Sequence, residues 1–367
     1  MTTQITLPKW YDLHTHFRQD EILEALVIDH TRMNCVGAMA MPNTKPPVGK
    51  VFESDNSLSY KSIESYYKDV MSASNGEFLE VIVPLYLTED TTPDMIELGA
   101  KAGVLKACKY YPPHGTTGAE FGAPFDHFMK NGVFKTMEET GVTLCVHGEE
   151  HGLDSVNYFD REQNAEELFY RTQMPKLIEA YPKLRAVGEH LTTKVGVDYI
   201  LGAPEHVKAN VTPQHLMYTV GDLLQGLKYH LYCLPVVKFN EDRDALLGAV
   251  VDPNNTKFFA GTDSAPHTNK TTPCGCAAGC YTGGVAPQLY AQAFEMAGVD
   301  LSKQAGQRVF ENFLSTIGRD FYGLPVPKET FTIEKSGETV LPLKIGDQTI
   351  TPLPLGMNIE LNWRLVK

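Results

Sequence analysis

The chain has 367 residues, 43% of them hydrophobic and 21% charged, a balance that suits a soluble protein with a large core and excludes a disordered or fibrous one. Its formal net charge of −13 argues against a generally basic nucleic-acid-binding surface. No run of about 18 apolar residues offers a membrane span.

The N-terminal stretch MTTQITLPKWYDLHTHFR lacks the basic start and apolar core of a secretory signal. The seven cysteines are odd in number and sit mostly in apolar segments. They read as reduced thiols of a cytoplasmic protein.

In chain order, short apolar runs fall at 10–17, 38–42, 79–87, 104–111, 142–147, 184–190, 207–211 and 258–261. Between them lie stretches of helical period, at 22–33, 125–140, 163–181 and 216–228. Alternation of this kind predicts a parallel sheet with both faces covered. Eight candidate strands predict an α/β fold of the closed (β/α)8 TIM-barrel type. Helices follow at 287–297 and 302–317. From 331 to 365 the short runs FTIEK, QTITPL and IELNW predict a small β-containing extension. The expected organisation is a barrel over 1–325 with a C-terminal extension over 326–367 packed on it.

Polar residues gather where the apolar runs end. The first run ends in Asp12-Leu13-His14-Thr15-His16-Phe17-Arg18. In a strand, residues two apart project to the same side, so His14 and His16 reach one point together. A single His-x-His says little alone. Other runs end the same way, in Lys109, His147, His190 and Asp263. In a barrel of this type the active site lies at the carboxyl ends of the strands. Histidines and carboxylates are what Zn2+ takes as ligands. An ammonium group would repel metal ions, so Lys109 fits this set only in another form. A deprotonated amine reacts with CO2 to a carbamate, whose two oxygens bridge two cations.

With these motifs in hand, the chain resembles the dihydroorotases of the amidohydrolase superfamily, in their shorter, separate-enzyme form. The motifs are DLHTHFR at 12–18, MPNTKPPV at 41–48, KYYP at 109–112 and CVHGE at 145–149. GEHLTT at 188–193, ANVTPQHL at 209–216, GTDSAPH at 261–267 and CGCA at 274–277 complete them. The resemblance runs from about residue 10 to about residue 325. It implies a reversible hydrolysis of L-dihydroorotate to N-carbamoyl-L-aspartate in pyrimidine synthesis. It implies two zinc ions per subunit: His14, His16 and Asp263 hold one, His147 and His190 the other, and a carboxylated Lys109 and a hydroxide bridge them. Asp263 is then the general acid and base. Arg18, Asn43 and His267 match residues that grip the substrate carboxylate. Val237 and Ala277 match positions whose backbone meets the ring, and Thr116 and Thr117 match a mobile loop. The resemblance also implies a homodimer, with a small molecule as the only other partner.

Departures from the family pattern are few. Phe239 follows Lys238 where arginine is frequent, and CGCAAGC carries an extra residue before Cys280. Cys274, Cys276 and Cys280 read as packing cysteines of a Gly-rich loop, with a structural zinc site completed by Cys233 as the alternative, and His215 reads as a support for its own loop. Two rival functions stand beside the main one. Hydantoinases and dihydropyrimidinases cleave related neutral rings, but place a β-sandwich segment before the His-x-His pair, and Arg18 and Asn43 suit an acidic substrate better. A non-catalytic scaffold with this fold would be expected to have lost metal ligands, and here all are retained.

Overall fold

Strand formation here follows the apolar runs. The computed structural model describes residues 2–273 and 275–366. Eight parallel strands form the barrel: β1 (Trp10–Thr15), β2 (Cys35–Ala40), β3 (Glu80–Ile82, resumed at Leu85–Tyr86), β4 (Ala107–Tyr110), β5 (Thr143–Val146), β6 (Ala186–Gly188), β7 (Val207–Val211) and β8 (Phe258–Ala260). Each pairs with its neighbour in sequence order. The β3 ladder breaks at Val83-Pro84 because proline has no N–H to donate. Closure comes through a parallel bridge between Thr15 and Ser264, with Asp263 N donating to His14 O at 2.8 Å and His16 N to Ser264 O at 3.0 Å.

Period-2 alternation sorts each strand into two faces. Tyr11, Leu13, Met39, Ile82, Ala107, Cys145, Val187 and Phe259 point inward and form one buried cluster. The helix Ile317–Tyr322 packs Phe321 and Tyr322 against that cluster. The outward-facing residues form a larger cluster with the surrounding helices. Two steps along β4, β5 and β8 from the inward residues lead to Lys109, His147 and Asp263 (the last through Gly261). The fold therefore carries these polar groups to one end of the barrel.

Two of the expected helices are divided. The 125–140 stretch forms Phe125–Lys130 and Val133–Thr140, separated at Gly132, whose φ of 90° is left-handed. The 216–228 stretch gives Pro213–Met217 and Val220–Leu224, parted by Tyr218 and Thr219 in extended conformation. The 302–317 stretch starts as Gln304–Glu311, widens to a π-turn at Asn312–Thr316 and continues as Ile317–Tyr322.

Outside the barrel, Gln4–Pro8 pairs antiparallel with Thr330–Glu334, which also pairs with Arg364–Leu365. The N-terminal segment thus joins the β-rich tail in one three-stranded sheet. A hairpin, Leu343–Ile345 with Gln348–Ile350, follows. No described helix is long and apolar enough to cross a membrane.

Candidate functional site

Six polar side chains converge at the carboxyl end of the barrel, and all are buried: His14, His16, Lys109, His147, His190 and Asp263. Ligand atoms of His14, His16 and Asp263 lie within 4.8 Å of one another. His16 Nε2 is 3.0 Å from Asp263 Oδ1, and His14 Nε2 is 3.4 Å from the same oxygen. The ring centroids of His14 and His190 are 4.9 Å apart, and those of His147 and His190 are 4.7 Å apart. The pairing register of β1 shifts between Asp12 and Thr15, so His14 and His16 reach the site although Leu13 lies in the barrel interior. His190 reaches it through a left-handed backbone, φ 41°, and Asp263 through φ 46°. Such angles are costly for non-glycine residues and persist only where the surroundings hold them.

Several carboxylates set these rings. Glu189 contacts His14 Nδ1 and accepts from Asn210 Nδ2 at 2.7 Å. Asn210 Oδ1 in turn accepts from His190 N at 2.5 Å. His147 Nε2 lies 2.7 Å from Glu149 Oε2. Asp12 ties β1 to β8 by accepting from Thr262 N at 3.0 Å and Thr262 Oγ1 at 2.6 Å, and His30 Nε2 is 3.1 Å from it. Sequence reading missed Asp12, His30, Glu149, Glu189 and Asn210 as orienting groups. A signal existed, since four of them lie in the histidine-bearing motifs or in ANVTPQHL; His30, inside a helix, had none. Gly188 gives Tyr170 its room: a Cβ there would sit 2.2 Å from the tyrosine oxygen.

Three buried polar atoms at the site have no hydrogen-bond partner among the described residues: Lys109 Nζ, Glu189 Oε1 and His190 Nδ1. Buried polar atoms are ordinarily satisfied, so orphans at a histidine cluster mark places where something else binds. The donor set of imidazoles and carboxylates fits a divalent metal. Burial pushes the Lys109 amine down from its ordinary value, toward the neutral form a carbamate requires. Burial likewise lowers His16 to about 4. For Asp263 burial acts upward, but the hydrogen bond from His16 and the nearby imidazoles outweigh it and hold the carboxyl at about 2.

Beside the histidines opens a cleft of about 880 Å3. Arg18, Asn43, Thr117 and His267 line it, together with Gly118 and the hairpin turn from Ile345 to Gln348. Arg18 has φ 59°, and its Nε donates to Pro266 O at 3.1 Å. Asn43 is placed between two parts of the site: Oδ1 is 2.7 Å from His16 Nδ1, and Nδ2 donates to Thr117 O at 2.9 Å. Burial first, then Arg18, lowers His267 to about 3. Thr116, Val237 and Ala277 do not line this cleft. His215 supports its loop through Thr212 Oγ1 at 2.8 Å and Pro235 O at 3.0 Å. Cys233 and Cys280 are buried, and with Cys276 they are free thiols; Cys274 lies outside the described residues.

Histidines held neutral by burial, among them His16, His190 and His267, make the metal-free protein acid-sensitive. An unfolded histidine takes a proton as pH falls below about 6.5, whereas folded His16 does so only near about 4. The unfolded state therefore binds more protons in that window, and stability falls as pH drops through it. The expected loss between pH 8 and pH 5 is about 2 kcal/mol for His16, with His267 adding in the same sense. Urea denaturation of chelator-treated protein at the two pH values measures it, and equal midpoints would contradict it.

A parallel barrel with this cluster at its carboxyl end defines an amidohydrolase of the metal-dependent kind. No family model matches the chain. Curated relatives do: it is 38% identical to a dihydroorotase of Picosynechococcus sp. over 98% of both chains, and 38% identical to one of Microcystis aeruginosa over 99% of both. The chain belongs to the dihydroorotase family, hydrolases of cyclic amides. Among solved structures, it resembles the dihydroorotase of Saccharomyces cerevisiae in complex with 5-fluoroorotic acid, with a TM-score of 0.84, 26% identity and coverage of 99% and 98%. The L-hydantoinase of Arthrobacter aurescens shares the fold, with a TM-score of 0.73 at 15% identity, over 98% of this chain and 83% of that one.

Proposed function

We propose that this chain catalyses the reversible hydrolysis of L-dihydroorotate to N-carbamoyl-L-aspartate, in pyrimidine synthesis. The observation that carries the reading is the cleft lined by Arg18, Asn43 and His267, joined to the buried histidines by the 2.7 Å contact of Asn43 Oδ1 with His16 Nδ1. His14, His16 and Asp263 would hold one zinc ion, His147 and His190 a second, with a carboxylated Lys109 between them. When bound, zinc activates water at neutral pH and polarises the scissile carbonyl. Asp263, ionised at working pH, accepts the proton of the attacking water and delivers it to the leaving ring nitrogen, with the reverse in ring closure. Arg18 presents a planar fork to the substrate carboxylate, and Asn43 and His267 complete that grip. Thr116 and Thr117 belong to the segment that closes over the substrate and excludes water. Val237 and Ala277 meet the ring through their backbone.

The barrel over 1–325 carries the chemistry, and the extension over 326–367 contributes its hairpin to the rim of the cleft. Free thiols suit a reducing cytoplasm, and a homodimer is the assembly the family resemblance implies; sedimentation equilibrium tests it. Purified, zinc-loaded protein should turn over L-dihydroorotate and leave hydantoin and dihydrouracil nearly untouched. Preference for either neutral ring would replace this reading with a hydantoinase or dihydropyrimidinase. Zinc-free protein that is nonetheless functional in a cell would favour a scaffold.

Arg18→Ala removes a charge-assisted, bidentate contact and leaves the histidines intact. KM for L-dihydroorotate should rise by about 100-fold, the effect of roughly 3 kcal/mol of lost binding, with zinc content unchanged. Loss of zinc in step with affinity would mean that Arg18 supports the metal site instead.

A further inference from the structure

Lys270 stands apart from the histidine cluster, in the segment between β8 and the helix Ala286–Met296, and is only 8% exposed. Its Nζ makes three hydrogen bonds, all to carbonyl oxygens: Ala277 O at 2.6 Å, Gly279 O at 2.6 Å and Tyr232 O at 2.8 Å. An ammonium has three protons to donate, so all are committed to backbone. Among the described residues no carboxylate forms an ion pair with it. A buried charge is ordinarily paired, and one satisfied only by dipoles keeps its field.

This lysine has two consequences for the cleft. It fastens residues 277–279 to Tyr232, where Gly279 N also donates to Tyr232 O at 2.9 Å and Ala277 N to Lys270 O at 2.8 Å. Between the two fastened carbonyls lies Ala278 O, 2.6 Å from His267 Nε2. A carbonyl only accepts, so His267 carries its proton on Nε2, where it can be shared between Ala278 O and a substrate carboxylate, and the contact sets the ring plane. His267 Nε2 is in turn 3.4 Å from Arg18 Nη2. Burial lowers the Lys270 ammonium, the neighbouring Cys280, Cys233 and Cys276 oppose that, and Arg18 adds a smaller lowering.

We propose that Lys270 is a positioning residue for recognition of the substrate carboxylate. It holds the 277–279 carbonyls that orient His267, and its unpaired positive charge joins that of Arg18 in favouring an anionic ring substituent. This rests on the assignment of Arg18 and His267 to carboxylate binding.

The test compares Lys270→Met, Lys270→Gln and Lys270→Arg with the wild type, each zinc-loaded and checked for native circular dichroism. Lys270→Met should raise KM for L-dihydroorotate about tenfold and weaken binding of orotate, a planar ring with the same carboxylate, by a similar factor. Turnover number should stay within about threefold and zinc content should not change, because no zinc ligand is touched. Lys270→Arg, which keeps charge and donors, should recover most of the affinity. Should Lys270→Met fail to fold, Lys270→Gln carries the same test, since it removes the charge while keeping a polar head with two of the three donors. Unchanged KM and orotate affinity in a folded Met or Gln variant overturns the proposal, as does an Arg variant no better than Met. If wild-type protein binds orotate but does not turn over L-dihydroorotate, the functional reading fails separately, and calorimetric orotate binding still reports on Lys270.

Discussion

Asp263→Asn should lower kcat by about 1,000-fold or more while the barrel stays folded. Positioned proton transfer contributes typically about 100- to 10,000-fold, and this residue is the one carboxylate among the six converging side chains. Its oxygen faces His14 and His16, which together with the hydrogen bond from His16 hold the carboxyl at about 2. It is therefore ionised, and free to take a proton, at every pH at which the enzyme works. Asparagine has the same shape and still offers an oxygen, so it fills the same space beside the two imidazoles. It cannot accept and return a proton. Zinc content must be measured together with kcat, since a weaker ligand lowers both. A variant that retains zinc and loses kcat isolates the proton-transfer role. A zinc-loaded variant with turnover within tenfold of wild type would move the proton shuttle to another group.

Some of the site was legible in the sequence because it obeys the strand period. Ala107 and Lys109, and Cys145 and His147, alternate as inward positions of straight strands, and Phe259 and Gly261 lead toward Asp263, whose own backbone turns left-handed at φ 46°. A reader who sees the apolar run sees where the next inward residue falls. His190 does not obey that rule. Val187 is inward, so the period hands the inward position to Glu189, and His190 reaches the cluster only because its backbone turns left-handed. The end of the apolar run and the GEHLTT motif marked His190, whereas the alternation did not. The bonds of Asp12 to Thr262 and His30 were also invisible, because they cross from the first strand to the last and to a helix. The strand Gln4–Pro8 escaped notice for a similar reason: its partner Thr330–Glu334 lies more than 300 residues away, and a five-residue run carries little periodicity of its own. The split helices at Gly132 and at Tyr218–Thr219 reflect backbone conformation that apolar spacing does not encode.

Lys109→Met should abolish turnover and yet stabilise the metal-free protein. Lys109 is fully buried, its Nζ has no hydrogen-bond partner among the described residues, and the Tyr111 ring is centred 5.1 Å away. Leaving a buried polar atom unsatisfied costs about 1–3 kcal/mol. Methionine fills a similar volume without that penalty, so urea denaturation of the chelator-treated variant should give a midpoint above that of wild type. The zinc-loaded comparison should go the other way. Burial drives the amine toward its neutral form, and a neutral amine adds CO2 to give an anion whose two oxygens can serve two cations. Methionine cannot form it, so the variant should bind less than the full complement of zinc and lose about 1,000-fold or more in kcat. Labelled bicarbonate supplies a direct readout: wild-type protein should show a carbamate carbon resonance that Lys109→Met lacks. Both a missing resonance in zinc-loaded wild type and full zinc binding by the variant would remove Lys109 from the metal site. A variant less stable than wild type without metal would show instead that the amine has a partner in solution. The opposite signs of the two effects separate a residue kept for binding metal from one kept for packing.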